Sequence, residues 1–230
     1  MEIKKTLGNR VVVKLDPENN FVRTKSGFEL YVDTSFEPEK HMTLTGTVIS
    51  APDKISYSKE GGDVPWETDV ELKEGDKVVM YYLAVMNCLA KERRQSITEN
   101  GEVYIFIKYH NIYAKVSDGN ITPINGFILV EPVDMERDVD KKVKSLGLES
   151  VNLKEKTKKE VVYGVVCYTG NKIKRYFDNT KSDEGVEVEK GNFVVMKRVR
   201  DIPIEYEYHA KIDGGRKLFR VQRHDILATI

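Results

Sequence analysis

Apolar positions along this chain come in short bursts set between turn-forming residues. Residues 11–15, 46–50, 77–82 and 103–108 are rich in Val, Ile and Tyr and are bounded by Gly, Asp, Asn or Pro. That combination predicts β-strands joined by turns. A second series of such runs follows at residues 127–130, 161–168, 192–197 and 217–221. Only residues 81–94 and 137–159 are patterned to hold a helical turn or two. Many short strands at this spacing predict an all-β protein built as small barrels or sandwiches. No apolar run approaches the ~20 residues that cross a membrane as a helix.

The second series repeats the first. Asn9-Arg10-Val11-Val12-Val13-Lys14 is matched by Asn125-Gly126-Phe127-Ile128-Leu129-Val130, and Thr45-Gly46-Thr47-Val48-Ile49 by Tyr163-Gly164-Val165-Val166-Cys167. Glu74-Gly75-Asp76-Lys77-Val78-Val79-Met80 returns as Lys190-Gly191-Asn192-Phe193-Val194-Val195-Met196. His110-Asn111-Ile112-Tyr113-Ala114-Lys115-Val116 returns as His224-Asp225-Ile226-Leu227-Ala228-Thr229-Ile230. The order is kept and the shifts stay between 114 and 118 positions, as a tandem duplication requires. Two domains are therefore expected, residues 1–118 and residues 119–230, joined through the turn-forming Ser117-Asp118-Gly119-Asn120. A copy of about 115 residues is large enough to bury its own core.

Three stretches fall outside the strand pattern. Residues 21–42 separate the first two strands of copy one, and residues 135–160, dense in lysine, do the same in copy two. Segments of that length without periodicity inside a compact domain are usually binding loops or disorder. Residues 52–70 hold Glu60-Gly61-Gly62-Asp63 and the single tryptophan, Trp66, and read as an exposed hairpin or flap. The apolar run Tyr81-Tyr82-Leu83-Ala84-Val85-Met86 is expected either to meet a neighbouring subunit or to cap a barrel.

The order of strand, long loop, Gly-centred strand, flap, Gly-Asp strand entry and closing Asp-Ile-Leu-Ala resembles the GroES-type co-chaperonins, the lids of barrel chaperonins. The residues carrying the resemblance are Asn9 to Lys14, Thr24-Lys25-Ser26-Gly27-Phe28-Glu29-Leu30, Gly46-Thr47-Val48-Ile49, Glu74 to Val79 and His224 to Ile230. It implies two tandem GroES-like β-barrels with long mobile loops. In that family a short apolar segment after a glycine in the loop docks on the chaperonin's apical domain. Here the resemblance places it at Gly27, Phe28, Glu29 and Leu30. In copy two the matching residues are Gly147, Leu148 and Glu149. There Ser150 replaces the second apolar anchor, and a one-residue slip would use Val151. The implied partner is a barrel chaperonin of the GroEL type. The family also joins subunits through terminal strands, here residues 4–7 and 225–230, which leaves a homo-oligomer as an open expectation.

Composition narrows the alternatives. With 37 basic and 37 acidic residues the formal charge is zero, which weighs against a chain built to coat nucleic acid or anionic membrane. The basic and aromatic clusters Lys91-Glu92-Arg93-Arg94, Lys172-Ile173-Lys174-Arg175-Tyr176-Phe177 and Lys197-Arg198-Val199-Arg200 keep single-strand binding as a lesser reading. Cys88 and Cys167 sit at different places in the two copies, so no disulfide framework is expected. The four histidines lie in separate segments without zinc-ligand spacing. His110 and His224, equivalent in the repeat, read as structural. No nucleotide-binding Gly-x-Gly-x-x-Gly turn and no Gly-x-Ser-x-Gly elbow occurs. The expectation is a cytoplasmic, non-enzymatic co-chaperonin needing no cofactor, with no apolar leader before the first strand. Two other readings stay open: a GroES-like binding or assembly module without a chaperonin, and a nucleic-acid-binding barrel.

Overall fold

The computed structural model describes residues 6, 8–17, 21–23, 26–31, 43–59, 66–133, 161–176, 182–197 and 218–229. The first half runs β1 (Arg10–Leu15), β2 (Phe21–Arg23), β3 (Glu29–Tyr31), β4 (Thr45–Ser50), β5 (Trp66–Glu67) and β6 (Lys77–Met80). After helix α1 (Tyr82–Leu89) come β7 (Ser96–Glu99), β8 (Glu102–Lys108), β9 (Ile112–Ser117) and β10 (Asn120–Pro123). The second half runs β11 (Phe127–Val133), β12 (Val161–Thr169), β13 (Lys174–Tyr176), β14 (Ser182–Asp183), β15 (Phe193–Lys197), β16 (Phe219–Gln222) and β17 (Ile226–Thr229). The protein is mostly β, and no helix among the described residues is long and apolar enough to cross a membrane.

The duplication is written into the hydrogen bonding. A seven-stranded antiparallel sheet has the order β10-β9-β6-β4-β1-β8-β7, and a five-stranded one has β16-β11-β12-β15-β17. Without its outer strands β10 and β7, the first sheet is the second read from the other end. Val13 faces Val48 across β1 and β4, and Val130 faces Val166 across β11 and β12. Each of these pairs carries a register shift at the same point, between Val12 and Val13 and between Leu129 and Val130. A second matching shift falls between Val79 and Met80 and between Val195 and Met196. The pairing sets β1 against β11 at an offset of 117 residues, one beyond the Asn9/Asn125 match.

The repeated Gly-Asp and Gly-Asn entries have a physical cause. Gly75 and Gly191 take φ values of +88° and +92°, in the left-handed region that favours glycine. The Gly75 amide donates to the Val48 carbonyl at 2.9 Å, and Gly191 to Val166 at 2.8 Å. The next residue closes the turn with its side chain. The Asp76 carboxylate accepts from the Lys73 amide at 2.9 Å, and the Asn192 carbonyl oxygen from the Glu189 amide at 2.7 Å. An acceptor on a short side chain is what both turns need, and Asp and Asn both supply it.

Alternation along the strands divides the core. Val11, Val13, Val48, Val78, Met80, Ile105 and Ile107 pack in the first half, and Ile128, Val130, Val166, Val194, Met196 and Ile226 in the second. Leu129 points the other way from its neighbours, into a third cluster with Ala114, Ile121, Cys167 and Leu218 that lies at the joint. This is the period of two expected of strands covered on both faces.

Two expectations are revised, and the helical turns expected after residue 81 are present. Neither sheet closes into a barrel among the described residues: the outer strands β8 and β9, like β16 and β17, do not pair with each other, and β7 and β10 extend the first sheet instead. In the stretch 52–70, read as an exposed hairpin or flap, Trp66 is buried and β5 pairs with β13. The run from Tyr81 forms α1, which turns Ala84, Val85 and Cys88 into the first core and leaves Leu83 and Met86 half-exposed. It covers that core on one side.

Gly46 and Gly164 test the repeat energetically. A Cβ on Gly46 would lie 2.5 Å from both the Lys14 carbonyl oxygen and Val13 Cγ1, and one on Gly164 would lie 2.7 Å from the Glu131 carbonyl oxygen. Alanine at either site is expected to lower stability by about 1–3 kcal/mol, as overpacking does, read as a fall in the urea midpoint. Gly101→Ala, with no atom within 4 Å of the added carbon, meets only its positive φ and should cost less.

Candidate functional site

Two regions concentrate features that a merely stable fold does not need. The first is the hairpin of β2 and β3, where Phe21 faces Tyr31, Val22 faces Leu30 and Arg23 faces Glu29. Gly27 turns the chain at φ +90°, with open space around it, so the backbone angle and not crowding favours glycine. Beyond the turn Phe28 is 71% exposed, Leu30 55% and Tyr31 67%. Positions 28 and 30 share one side of an extended chain, so Phe28 and Leu30 form one apolar face with Glu29 directed oppositely. Large apolar side chains held together in water mark an interaction surface. The structure therefore places all four residues expected from the first loop, Gly27, Phe28, Glu29 and Leu30, on one solvent-facing hairpin arm. Gly147, Leu148, Glu149 and Val151 lie outside the described residues.

The second region is the joint. Asp118 and Gly119 both take positive φ, +48° and +79°, as a two-residue hairpin turn requires. The chain therefore folds straight back, and β10 pairs with β9, Ile121 opposite Val116. Asn125 follows, fully buried, at φ +60°. Its side-chain amide donates to the Tyr109 and Ile112 carbonyls, each at 3.3 Å. Its backbone amide donates to a Glu71 carboxylate oxygen at 2.7 Å, and Asn171 donates to the other oxygen at 2.8 Å. The Glu71 backbone amide donates to the Tyr109 hydroxyl at 2.9 Å, while Lys115 Nζ donates to the Glu71 carbonyl at 3.2 Å. One residue of the first half thus holds two of the second.

Aromatic contacts reinforce the seam. Tyr57 stacks on Tyr176 at 5.9 Å, and Trp66 meets Phe127 edge-on at 6.2 Å. The Tyr176 hydroxyl donates to Glu67 at 2.8 Å. The Arg220 guanidinium lies 3.5 Å from the Tyr113 ring centre and 4.0 Å from that of Phe127, a cation held between two π faces. Ile173, from the second half, is buried in the first core, directly over Gly126, where any Cβ would overlap it.

Equivalent buried residues brace the two halves internally. Tyr109 and Arg223 both open a one-turn 3-10 helix before the last strand. Tyr109 reaches Glu71, and Arg223 donates to the Gly170 and Val188 carbonyls at 2.7 and 3.4 Å. Burial lowers the affinity of Arg223 for its proton. His110 and His224 ride on these same turns, in keeping with a structural role. No group of three His, Cys, Asp or Glu side chains among the described residues could hold a metal ion. Burial pushes the Cys88 thiol up to about 11, so it stays protonated at neutral pH and poorly nucleophilic. The sequence offered little warning of the Glu71–Asn125–Asn171 cluster; Asn125-Gly126 alone signalled a turn.

Burial raises the Glu71 carboxyl above its ordinary value of 4.5, with the Asn125 and Asn171 hydrogen bonds and Lys115 opposing. The folded chain therefore holds that proton more tightly than the unfolded chain. Its contribution to stability is complete below 4.5 and is lost as pH rises through the folded value. Glu71→Gln should consequently gain stability relative to wild type as pH is raised from about 4 to about 7, read by urea denaturation; a pH-independent difference would refute it. Compared with protein-family models and with curated proteins, the chain matches none.

Proposed function

We propose that each half is a GroES-like unit and that the protein acts as a co-chaperonin, docking on a barrel chaperonin and assisting its ATP-dependent folding cycle. The observation that carries this reading is the apolar face of Phe28 and Leu30, displayed in solvent directly after the Gly27 turn. The doubled strand order supports it, because a lid must present its docking arms from a firm base.

The energetics suit reversible docking. Burying an anchor such as Leu30 is worth roughly 1.5–3 kcal/mol, and ordering the loop takes part of that back. A single arm therefore binds weakly. Several arms on one assembly bind firmly, since each later contact forms at high effective concentration. In the second copy Gly147, Leu148, Glu149 and Val151 supply the weaker contact, since Ser150 stands at the second anchor position.

Assembly uses the edge of the second sheet. In the first half, β9 is covered on its outer edge by β10. The equivalent strand β17 ends its sheet among the described residues, and its Leu227 is 55% exposed. Chains associate there, edge to edge.

Two experiments test the reading. Wild-type protein should co-purify with a barrel chaperonin in the presence of ATP, and Leu30→Asp should abolish this while leaving the unfolding midpoint unchanged. Failure of the wild type to bind any chaperonin sinks the proposal. Native mass spectrometry should show several chains per particle, reduced to single chains in Leu227→Asp; a monomeric wild type rules out assembly through β17.

A further inference from the structure

On the outer face of the first sheet, away from the hairpin and the joint, Arg10, Arg93, Arg94, Gln95, Ile97 and Phe106 line an open concavity of about 500 Å³. The lining carries three guanidinium groups and no carboxylate. In a chain of zero net charge, that is a local excess of three positive charges.

The fold brings these groups together from distant parts of the chain. Arg10 sits at the start of β1, where Val12 pairs with Phe106 of β8. Its Nη1 donates to the Phe106 carbonyl at 3.1 Å, which fixes the guanidinium beside the ring. On β7 Ile97 pairs with Tyr104 of β8, and the Phe106 amide donates to the Gln95 carbonyl at 2.8 Å. Ile97 and Phe106 therefore share the sheet face opposite the core residues Ile105 and Ile107. Arg93 and Arg94 come from the turn after α1, and Arg94 adopts φ 49°, ψ 40°. A non-glycine residue in the left-handed region is uncommon. Here that conformation lets two neighbouring arginines line one hollow, although consecutive side chains ordinarily diverge. The fields of Arg10 and Arg93 also meet at the Cys88 thiol beneath.

We propose that this concavity is a nucleotide site, taking a nucleoside di- or triphosphate with its phosphates on Arg93, Arg94 and Arg10 and its base on Phe106 and Ile97. Guanidinium forks match phosphate oxygens in pairs. Three cations in one lining favour a ligand of several negative charges, where one carboxylate would balance only one of them. The aromatic and aliphatic floor suits the face of a base. The volume lies in the range of small-ligand sites. Nothing in this assignment depends on chaperonin binding.

Calorimetric titration of the full chain with ADP tests it, with pyrophosphate, a single-stranded 20-mer oligonucleotide and an acidic peptide as parallel probes. ADP should bind saturably, more weakly as salt rises. Arg93→Ala/Arg94→Ala should weaken ADP and pyrophosphate alike by about ten-fold or more, while Lys54→Ala/Lys73→Ala, removing the same charge elsewhere, should not. Phe106→Leu should weaken ADP but leave pyrophosphate unchanged. Arg93 and Arg94 are exposed, and an unaltered unfolding midpoint shows that their variant remains folded. The proposal is overturned if wild type binds neither ADP nor pyrophosphate, if the arginine variant binds as wild type does, or if Phe106→Leu leaves ADP binding intact. Binding of the oligonucleotide or the peptide alone overturns it as well, assigning the surface to a macromolecule.

Discussion

The carboxylate of Glu71 sits where the two halves of the chain meet, and the relation between them depends on it. It accepts from the Asn125 backbone and the Asn171 side chain at 2.7 and 2.8 Å. Its own backbone is tied to Tyr109 and Lys115 in the first half. A buried carboxylate is costly to desolvate and is tolerated only when its oxygens are satisfied. Both donors come from the second half, so separating the halves would break both hydrogen bonds at once. The seam is thus held by a polar contact that penalises partial opening. Around it, the Tyr57–Tyr176 stack and the β5–β13 pairing supply area and direction.

This arrangement gives the Phe28–Leu30 face its mechanical setting. The first core is closed by α1 on one side and reached by Ile173 from the second half on another. Tyr109 and Arg223 brace the loops that precede β6 and β15 from equivalent positions. The polar braces and the apolar clusters divide the work, the former setting geometry and the latter supplying most of the stabilisation.

Much of this was legible in the sequence because it is local or periodic. The strand runs, the shift of 116 between Gly75 and Gly191, and the Asp118-Gly119 turn all carry short-range signals, and each appears as a regular element. Gly27 to Leu30 were singled out through a family resemblance, while β2 and β3, which flank the Gly27 turn, lie in a stretch read as outside the strand pattern. What escaped is non-local. β5 and β13 are two and three residues long, too short for any period, and only the approach of the halves makes them pair. Trp66 looked like a flap residue because its cover, Phe127, comes from the other copy. The helical turns expected within residues 81–94 appear as α1. Strand number and spacing left barrel or sandwich open and the resemblance implied barrels, but none of these determines whether outer strands meet.

The covered edge of β9 and the open edge of β17 have an arithmetic consequence. One seam in each chain is covered by β10 of the same chain; among the described residues β17 ends its sheet, and under the proposed assembly that edge takes a second molecule. Any ring closed through that second seam alternates sealed and unsealed joints around its circumference. Whole chains therefore contribute halves in pairs, and the ring has an even number of them whatever its size. Against a partner ring with an odd number of sites, such a lid cannot match half to site throughout. At least one arm must hang idle or one site stay empty, so the assembly would engage its partner asymmetrically by parity alone.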